Sequence, residues 1–284
     1  LKIKTLKQSW SSFFTEHQDA LAKVYPGLNL QRFLMEVGDI LKKRNSDSVS
    51  LDDASDSISE KATADLVEVF LKGVPFQYLL EESEFFGHKF FVNKDVLIPR
   101  PETEYLVDLL VKEFKGKVTK VLDVGTGSGV ILLSLLAANV GKSGVGVDIS
   151  PEALEVAKIN SKKFKLESKA SLILSDRLDK VEGTFDLIVS NPPYIKASSH
   201  RSLVHDSVDE HEPHGALYLP DDYYAMWFED FFAEIRGHLK GTFFMEGHEL
   251  ELDDQAKMLG RLGFQNIKVF NDMTGIKRYL RANI

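Results

Sequence analysis

The chain has 284 residues, 43% of them hydrophobic and 27% charged, with a net charge of −8 and no cysteine. Disulfides, thiolate metal sites and a cysteine nucleophile are therefore excluded. The acidity hides no basic half: residues 1–98 carry 12 Lys and Arg against 15 Asp and Glu, and residues 99–284 carry 23 against 28. The basic face a duplex-binding protein uses to displace phosphate counterions is not evident, so the charge balance speaks against nucleic acid as the substrate.

Lys2, Lys4 and Lys7 precede no apolar core or small-residue cleavage site, and the chain starts at Leu1 rather than Met, as a trimmed start would. The longest apolar stretch, Val130–Val140, contains Ser134 and Asn139 and is too short to span a bilayer. A cytoplasmic protein with no membrane partner is expected. Residues 1–80 read as helical, with apolar positions at three and four spacing in Leu30, Phe33, Leu34, Val37, Ile40 and Leu41, and again in Leu66, Val67, Phe70 and Leu71. Between them, Asn45–Ser59 is rich in Ser and Asp and reads as a connection.

From Glu84 the pattern changes. Phe85–Val92 predicts a hairpin and Val96-Leu97-Ile98 a strand ended by Pro99, so residues 81–98 form a hairpin linker before a domain over 99–284. Arg100-Pro101-Glu102-Thr103-Glu104 opens a helix to about Lys115. Strands and helices then alternate: strand Lys120–Val124, helix Val130–Asn139, strand Gly144–Asp148, helix Pro151–Phe164, and strands Ser171–Leu174 and Phe185–Ser190. Helix Asp222–Leu239, strand Gly241–Met245 and helix Glu249–Leu262 follow, and Asn266–Phe270 and Lys277–Arg281 close the chain as an antiparallel pair. The alternation predicts an α/β fold with a doubly wound, mixed sheet.

Two strand ends carry the chemistry. Val121–Val124 runs into Gly125-Thr126-Gly127-Ser128-Gly129, with Asp123 two residues before the first glycine. Glycines allow a tight turn and close approach of a ligand to the backbone. Val130 stands where a dinucleotide fingerprint would place glycine, and an acid suits a cationic amino group better than a pyrophosphate. The methionine part of S-adenosylmethionine carries such a group. Asp148, at the end of the next strand, is placed for ribose hydroxyls, Asp176 for an adenine amine, and Arg177 for the ring face.

The second strand end is Asn191-Pro192-Pro193-Tyr194 after Phe185–Ser190. Proline stops the strand, leaving Asn191 at the carboxyl end of a strand, where open α/β sheets bind ligands. The Asn191 side-chain carbonyl and the Pro192 backbone carbonyl can accept from one planar NH2 group, and Tyr194 can lie on its flat face. Asn191, Pro192 and Tyr194 are thus the candidate catalytic residues, with Pro193 completing the substrate site. His200, His205, His211 and His214 stand among acids, but their spacing repeats no zinc pattern, and an acidic solvated loop without metal is expected.

Together these residues resemble the HemK/PrmC group of class I methyltransferases, which methylate the side-chain nitrogen of a glutamine. The matching pieces are Pro75–Leu79, Phe85–Val92, Ile98–Glu104, Asp123–Gly129 and Asn191–Tyr194, with weaker echoes at Glu212-Pro213, Ala216-Leu217, Asp272, Gly275 and Arg278. The match spans roughly residue 70 to the end; before that only a helical domain of similar length corresponds. The resemblance implies a Rossmann-like mixed seven-stranded sheet, a substrate-recognising helical domain over 1–80, S-adenosylmethionine as cofactor, and bacterial class I peptide-chain release factors as partners, modified at the Gly-Gly-Gln glutamine. Departures from the family are Glu81 in place of glycine, Arg177 in place of an aromatic, and the loop 196–221. A ribosomal-protein glutamine or an adenine amine are the alternative acceptors of the same chemistry. A non-enzymatic binding module and a nicotinamide-dependent oxidoreductase are the readings from other classes.

Overall fold

In the computed structural model, which describes residues 4–44, 49–54 and 59–284, the N-terminal apolar stripes fold as helices. These are α1 (Leu6–Glu16), α2 (Gln18–Val24), α3 (Leu30–Arg44), α4 (Glu60–Leu71) and α5 (Phe76–Leu80). Thr5 starts α1 with a reciprocal capping box: its hydroxyl accepts from Gln8 N while the Gln8 side chain accepts from Thr5 N. Lys42, Lys43 and Arg44 sit in the last turn of α3, where the helix dipole favours cations. Trp10, Phe14, Phe33, Val37, Phe70 and Phe76 close into one apolar cluster, with Trp10 edge-on to Phe33 and Phe70. Glu81 ends α5 in a left-handed conformation (φ 48°) that glycine adopts more readily, and its carboxylate pairs with Lys43 at 2.8 Å. Residues 45–48 and 55–58 of the expected Asn45–Ser59 connection lie outside the described residues.

These helices belong to the first of two units, Leu1–Glu82 with His205–His211; the second is Ser83–Val204 with Glu212–Ile284. The hairpin forms three residues earlier than expected, as β1 (Glu82–Phe85) and β2 (His88–Phe91), turning on Phe86 and Gly87 with positive φ. The strand expected at Val96–Ile98 does not form. Asp95 N donates to the Asn93 side chain in a local turn, and Ile98 N donates to the Glu212 carboxylate at 3.0 Å. A side chain from far along the sequence thus takes the donor that a neighbouring strand would have needed.

The α/β alternation then follows the expected order, with ends shifted by one or two residues in most elements. It runs α6 (Pro101–Phe114), β3 (Lys120–Val124), α7 (Val130–Ala137), β4 (Ser143–Asp148), α8 (Pro151–Lys163), β5 (Ala170–Leu174) and β6 (Phe185–Ser190). The loop expected over 196–221 contains short pieces: β7 (Ile195–Lys196), α9 (Asp206–His211), α10 (His214–Leu217) and β8 (Tyr218–Leu219). The chain ends with α11 (Tyr224–His238), β9 (Leu239–Glu246), α12 (Leu252–Arg261), β10 (Gln265–Asn271) and β11 (Lys277–Asn283). Proline at the first turn of α6 and α8 supplies the expected helix starts, and the Ser150 hydroxyl caps α8 by accepting from Ala153 N.

The second unit is built on a seven-stranded sheet ordered β10-β11-β9-β6-β3-β4-β5. β9, β6, β3, β4 and β5 are parallel neighbours, and β11 and β10 add antiparallel pairs. Alternate residues feed opposite faces. Val121, Leu187, Val189 and Phe244 pack with α6 and α7, whereas Leu122, Ile188, Phe243 and Met245 pack with α11 and α12. After β3 the chain moves outward to β4 and β5, then returns to the other side of β3 as β6, which creates a switch point at the carboxyl ends of β3 and β6. Among the described residues no helix is long and apolar enough to cross a membrane.

The close approach of β9 to β6 depends on Gly241, where an added Cβ would lie 2.4 Å from the Asp186 carbonyl oxygen. Asp186 also accepts from Thr119 N and Lys120 N, so this point anchors the start of β3 as well. Gly241→Ala is expected to lower the unfolding free energy by about 1–3 kcal/mol, the usual range for overpacking. Gly237→Ala, on the exposed side of α11 with open space around it, is expected to raise it by about 0.5–1 kcal/mol. Urea unfolding of both variants checks the pair; equal effects would show that the β9–β6 contact is not tight.

Candidate active site

At the carboxyl ends of β3 to β6 lies a cavity of about 400 Å³, a size suited to a cofactor-sized molecule. Its floor is the glycine loop. Gly125, Gly127 and Gly129 all have positive φ, a conformation that side chains with a Cβ resist, and Gly127 faces open space. Gly125 N and Thr126 N both donate to the Val147 carbonyl at 2.9 Å, which ties the loop to β4. Asn160 on α8 holds it from behind, donating to the carbonyls of Ser128 (2.8 Å) and Phe91 (2.9 Å) and accepting from Phe91 N.

Of the three acids expected here, Asp148 and Asp176 line the cavity. Asp148 accepts from Gly127 N at 2.8 Å with one oxygen and from Ser150 N at 3.0 Å with the other. Burial raises its pKa, and these donors oppose the rise. The Asp176 side chain is the more exposed of the two. Asp123 is placed differently: it is fully buried beneath the loop and outside the cavity lining. One of its oxygens accepts from the Thr126 hydroxyl (2.7 Å) and Leu132 N (3.2 Å), while Oδ1 is buried without a hydrogen-bond partner. Burial pushes its pKa up to about 7. Its first role is thus to shape the loop, with one acceptor left over.

Arg177 lines the cavity in a left-handed conformation, but its guanidinium is already engaged by Glu234 at 3.0 Å and by the ring of Trp227 at 5.8 Å. Trp227, within the helix expected over Asp222–Leu239, supplies an aromatic wall from α11. On the other side stand Arg100 and the Pro213–Ala216 segment. They are joined through Glu212, whose buried carboxylate accepts from Arg100 at 2.5 Å and from Ile98 N.

Asn191, Pro192 and Pro193 reach the cavity at the end of β6, beside the glycine loop: Asn191 O lies 3.8 Å from where a Cβ on Gly125 would be. Asn191 Nδ2 donates to the Thr103 hydroxyl (3.0 Å), and Thr103 donates to Glu246 (2.7 Å). Tyr194 differs from expectation. It is outside the cavity lining, and its hydroxyl donates to the other Glu246 oxygen at 2.9 Å. A buried phenol needs an acceptor, and the carboxylate at the end of β9 provides one. Burial raises the pKa of Glu246, which the hydrogen bonds from Thr103 and Tyr194 and the charge of Arg278 oppose.

The loop histidines are dispersed. His200 stacks on His248, His205 bonds to Ser207, and His211 bonds to the Lys72 carbonyl. Asn160, Trp227, Thr103 and Glu246 were not singled out from sequence. A polar Asn on the apolar side of α8, beside Val156 and Ala157, is the one signal that pointed to any of them.

The cavity fits a cationic, adenosine-bearing cofactor on its own geometry: a glycine floor with open space, carboxylates at successive strand ends and an aromatic wall. Known proteins agree. The family of the Methyltransferase small domain matches residues 101–220. The Release factor glutamine methyltransferase of Flavobacterium psychrophilum is 33% identical over 218 residues, covering 74% of this chain and 75% of its own. Its counterpart in Leptospira interrogans is 37% identical over 222 residues, covering 74% of each. A methyltransferase crystal structure from Pyrococcus furiosus superposes with a TM-score of 0.51 at 21% identity, covering 70% of this chain and 89% of that one, and shares its fold.

Asp123 offers a pH test. Its folded pKa, about 7, lies above its ordinary value of 3.8. Between these values the unfolded chain releases the proton while the folded chain keeps it, so stability falls as pH rises and levels off above the folded value. Relative to Asp123→Asn, the wild type should lose on the order of 1 kcal/mol per pH unit between about pH 5 and 7. Urea unfolding across that range measures it, and parallel curves would show Asp123 ionised throughout.

Proposed function

We infer the activity from the family to which this chain belongs, the release factor glutamine methyltransferases: the enzyme methylates a glutamine side-chain nitrogen of a release factor, using S-adenosylmethionine. The finer reading is that the substrate is the Gly-Gly-Gln glutamine of bacterial class I factors, which implies a cytoplasmic enzyme. The observation that supports methylation of an NH2 group here is the Asn191 amide. Its NH2 is occupied by Thr103, which leaves the carbonyl oxygen as the end able to receive an NH2 at the cavity.

When bound, S-adenosylmethionine supplies a methyl group already made electrophilic by its sulfonium. The chain's residues hold and orient. The backbone of Gly125, Thr126, Gly127, Ser128 and Gly129 would receive the methionine part, with Asp123 holding the loop in shape from below. Asp148 has lone pairs left for ribose hydroxyls, Asp176 would meet the adenine amine, and Trp227 with Arg177 would border the ring. An amide nitrogen is a poor nucleophile because its lone pair is delocalised into the carbonyl. Acceptance of its two hydrogens by Asn191 Oδ1 and Pro192 O would favour positive charge building on that nitrogen as it takes the methyl group from the sulfonium. The surplus proton then leaves nitrogen for water. Positioning dominates: well-aligned reactants gain on the order of 7–11 kcal/mol over free ones. Tyr194 contributes through Glu246 rather than by stacking on the substrate.

An adenine amine would satisfy the same acceptors, and the acidic balance of the chain counts against nucleic acid. Labelled S-adenosylmethionine offered with unmodified release factor, its Gly-Gly-Gln Gln→Ala variant and adenine-containing DNA separates these. Label is expected on the intact factor alone; label on DNA, or equally on the variant, would overturn the glutamine reading. Asn191→Ala should lower turnover by roughly 10²–10³-fold, the range for losing one preorganised transition-state hydrogen bond. Its cofactor affinity should stay within about threefold, less than 1 kcal/mol; equal loss of both would make Asn191 structural.

A further inference from the structure

We propose that Thr103 and Glu246 set the hydrogen-bond polarity of Asn191, so that its carbonyl oxygen, and never its NH2, faces the substrate amide. The inference rests on the glutamine reading and extends it to two positioning residues. A side-chain amide has a donor end and an acceptor end of nearly the same shape, so packing alone cannot choose between them. The choice matters here. An Asn191 turned the other way would present NH2 to NH2, with two donors and no acceptor.

The choice is made by a relay of single protons. Thr103 has one hydroxyl proton, and it is given to Glu246 at 2.7 Å. Having spent that proton, Thr103 can only accept from Asn191, which must therefore turn Nδ2 toward it, as observed at 3.0 Å. Glu246 accepts a second proton from Tyr194 on its other oxygen. An ionised carboxylate is acceptor-only, so with one donor on each oxygen it keeps both hydroxyls pointing inward. Thr103 and Glu246 are buried, 3% and 1% exposed, so water does not substitute for either link.

The surroundings keep the relay in this state. The groups facing Glu246 are Thr103 and Glu102 from α6, Tyr194 after β6, and Arg278 from β11. Tyr279 of β11 and Asp272 interact electrostatically with this group of residues. Arg278 favours the ionised carboxylate, while burial and Glu102 oppose it. If Glu246 takes up a proton, it becomes a donor, Thr103 is free to turn its own proton toward Asn191 Oδ1, and the amide reverses. Turnover should then fall on the acid side through loss of polarity.

The test uses the full chain with release factor as acceptor. Thr103→Val keeps the shape and removes the relay, and should lower kcat roughly 10- to 100-fold, the equivalent of one hydrogen bond to a charged group. S-adenosylmethionine affinity should change by less than about threefold. Thr103→Ser restores the hydroxyl and should recover most of the lost turnover. Glu246→Gln removes the titrating group and should flatten the acid limb in the kcat–pH profile, and it decides the matter independently should Thr103→Val fold poorly. Full turnover in Thr103→Val, or an unchanged acid limb in Glu246→Gln, would overturn the relay while the wild type still labels release factor. Absence of label with the wild type would instead overturn the glutamine reading, and the relay with it.

Discussion

Strands β3 and β6 lie in parallel with Val124 beside Ser190, and each chain leaves the sheet at the following residue. The Ser190 hydroxyl donates to the Val124 carbonyl at 2.7 Å and secures that level. Gly125 and Asn191 therefore start their loops side by side, one shaping the floor for a methyl donor and the other reaching toward a methyl acceptor. A slip of one residue would turn Leu187 and Val189 to the opposite face and carry Asn191 away from the glycine loop. The apolar layers on both faces of the sheet resist such a slip, and the contacts of Asp186 with Thr119, Lys120 and Gly241 hold the opposite ends of the strands.

Around this point Asp123, Glu212 and Glu246 are buried and Asp148 is half-buried, and each is given donors from backbone or side chains. Buried carboxylates are costly unless they are paired, so each marks a place where a donor must be held. Glu212 fastens the Arg100 segment, Asp148 fastens the glycine loop, and Glu246 gathers Thr103 and Tyr194 behind Asn191.

What could be read from the sequence is what periodicity and punctuation encode. The strand Lys120–Val124, the glycine turn, and the strand halted at Asn191-Pro192 each carry local signals, and together they located the cavity. Pairings between distant residues carry no such signal. Thr103 and Glu246 stand 143 positions apart, and the first looks like an ordinary helix-start residue. Val96–Ile98 has the composition of a strand and fails to become one because Glu212, 114 positions away from Ile98, takes its amide. Tyr194 sits within the right tetrapeptide, but its partner lies on β9, so its direction was not legible. Trp227 merged into a helix rich in aromatic core residues.

The most direct measurement is a crystal structure of the enzyme with S-adenosylhomocysteine and a peptide carrying Gly-Gly-Gln. The glutamine carboxamide nitrogen is expected within hydrogen-bond distance of both Asn191 Oδ1 and Pro192 O, with Asn191 Nδ2 still on Thr103 and the cofactor sulfur facing that nitrogen. A glutamine bound elsewhere, or an Asn191 that offers its NH2 to the peptide, would contradict it.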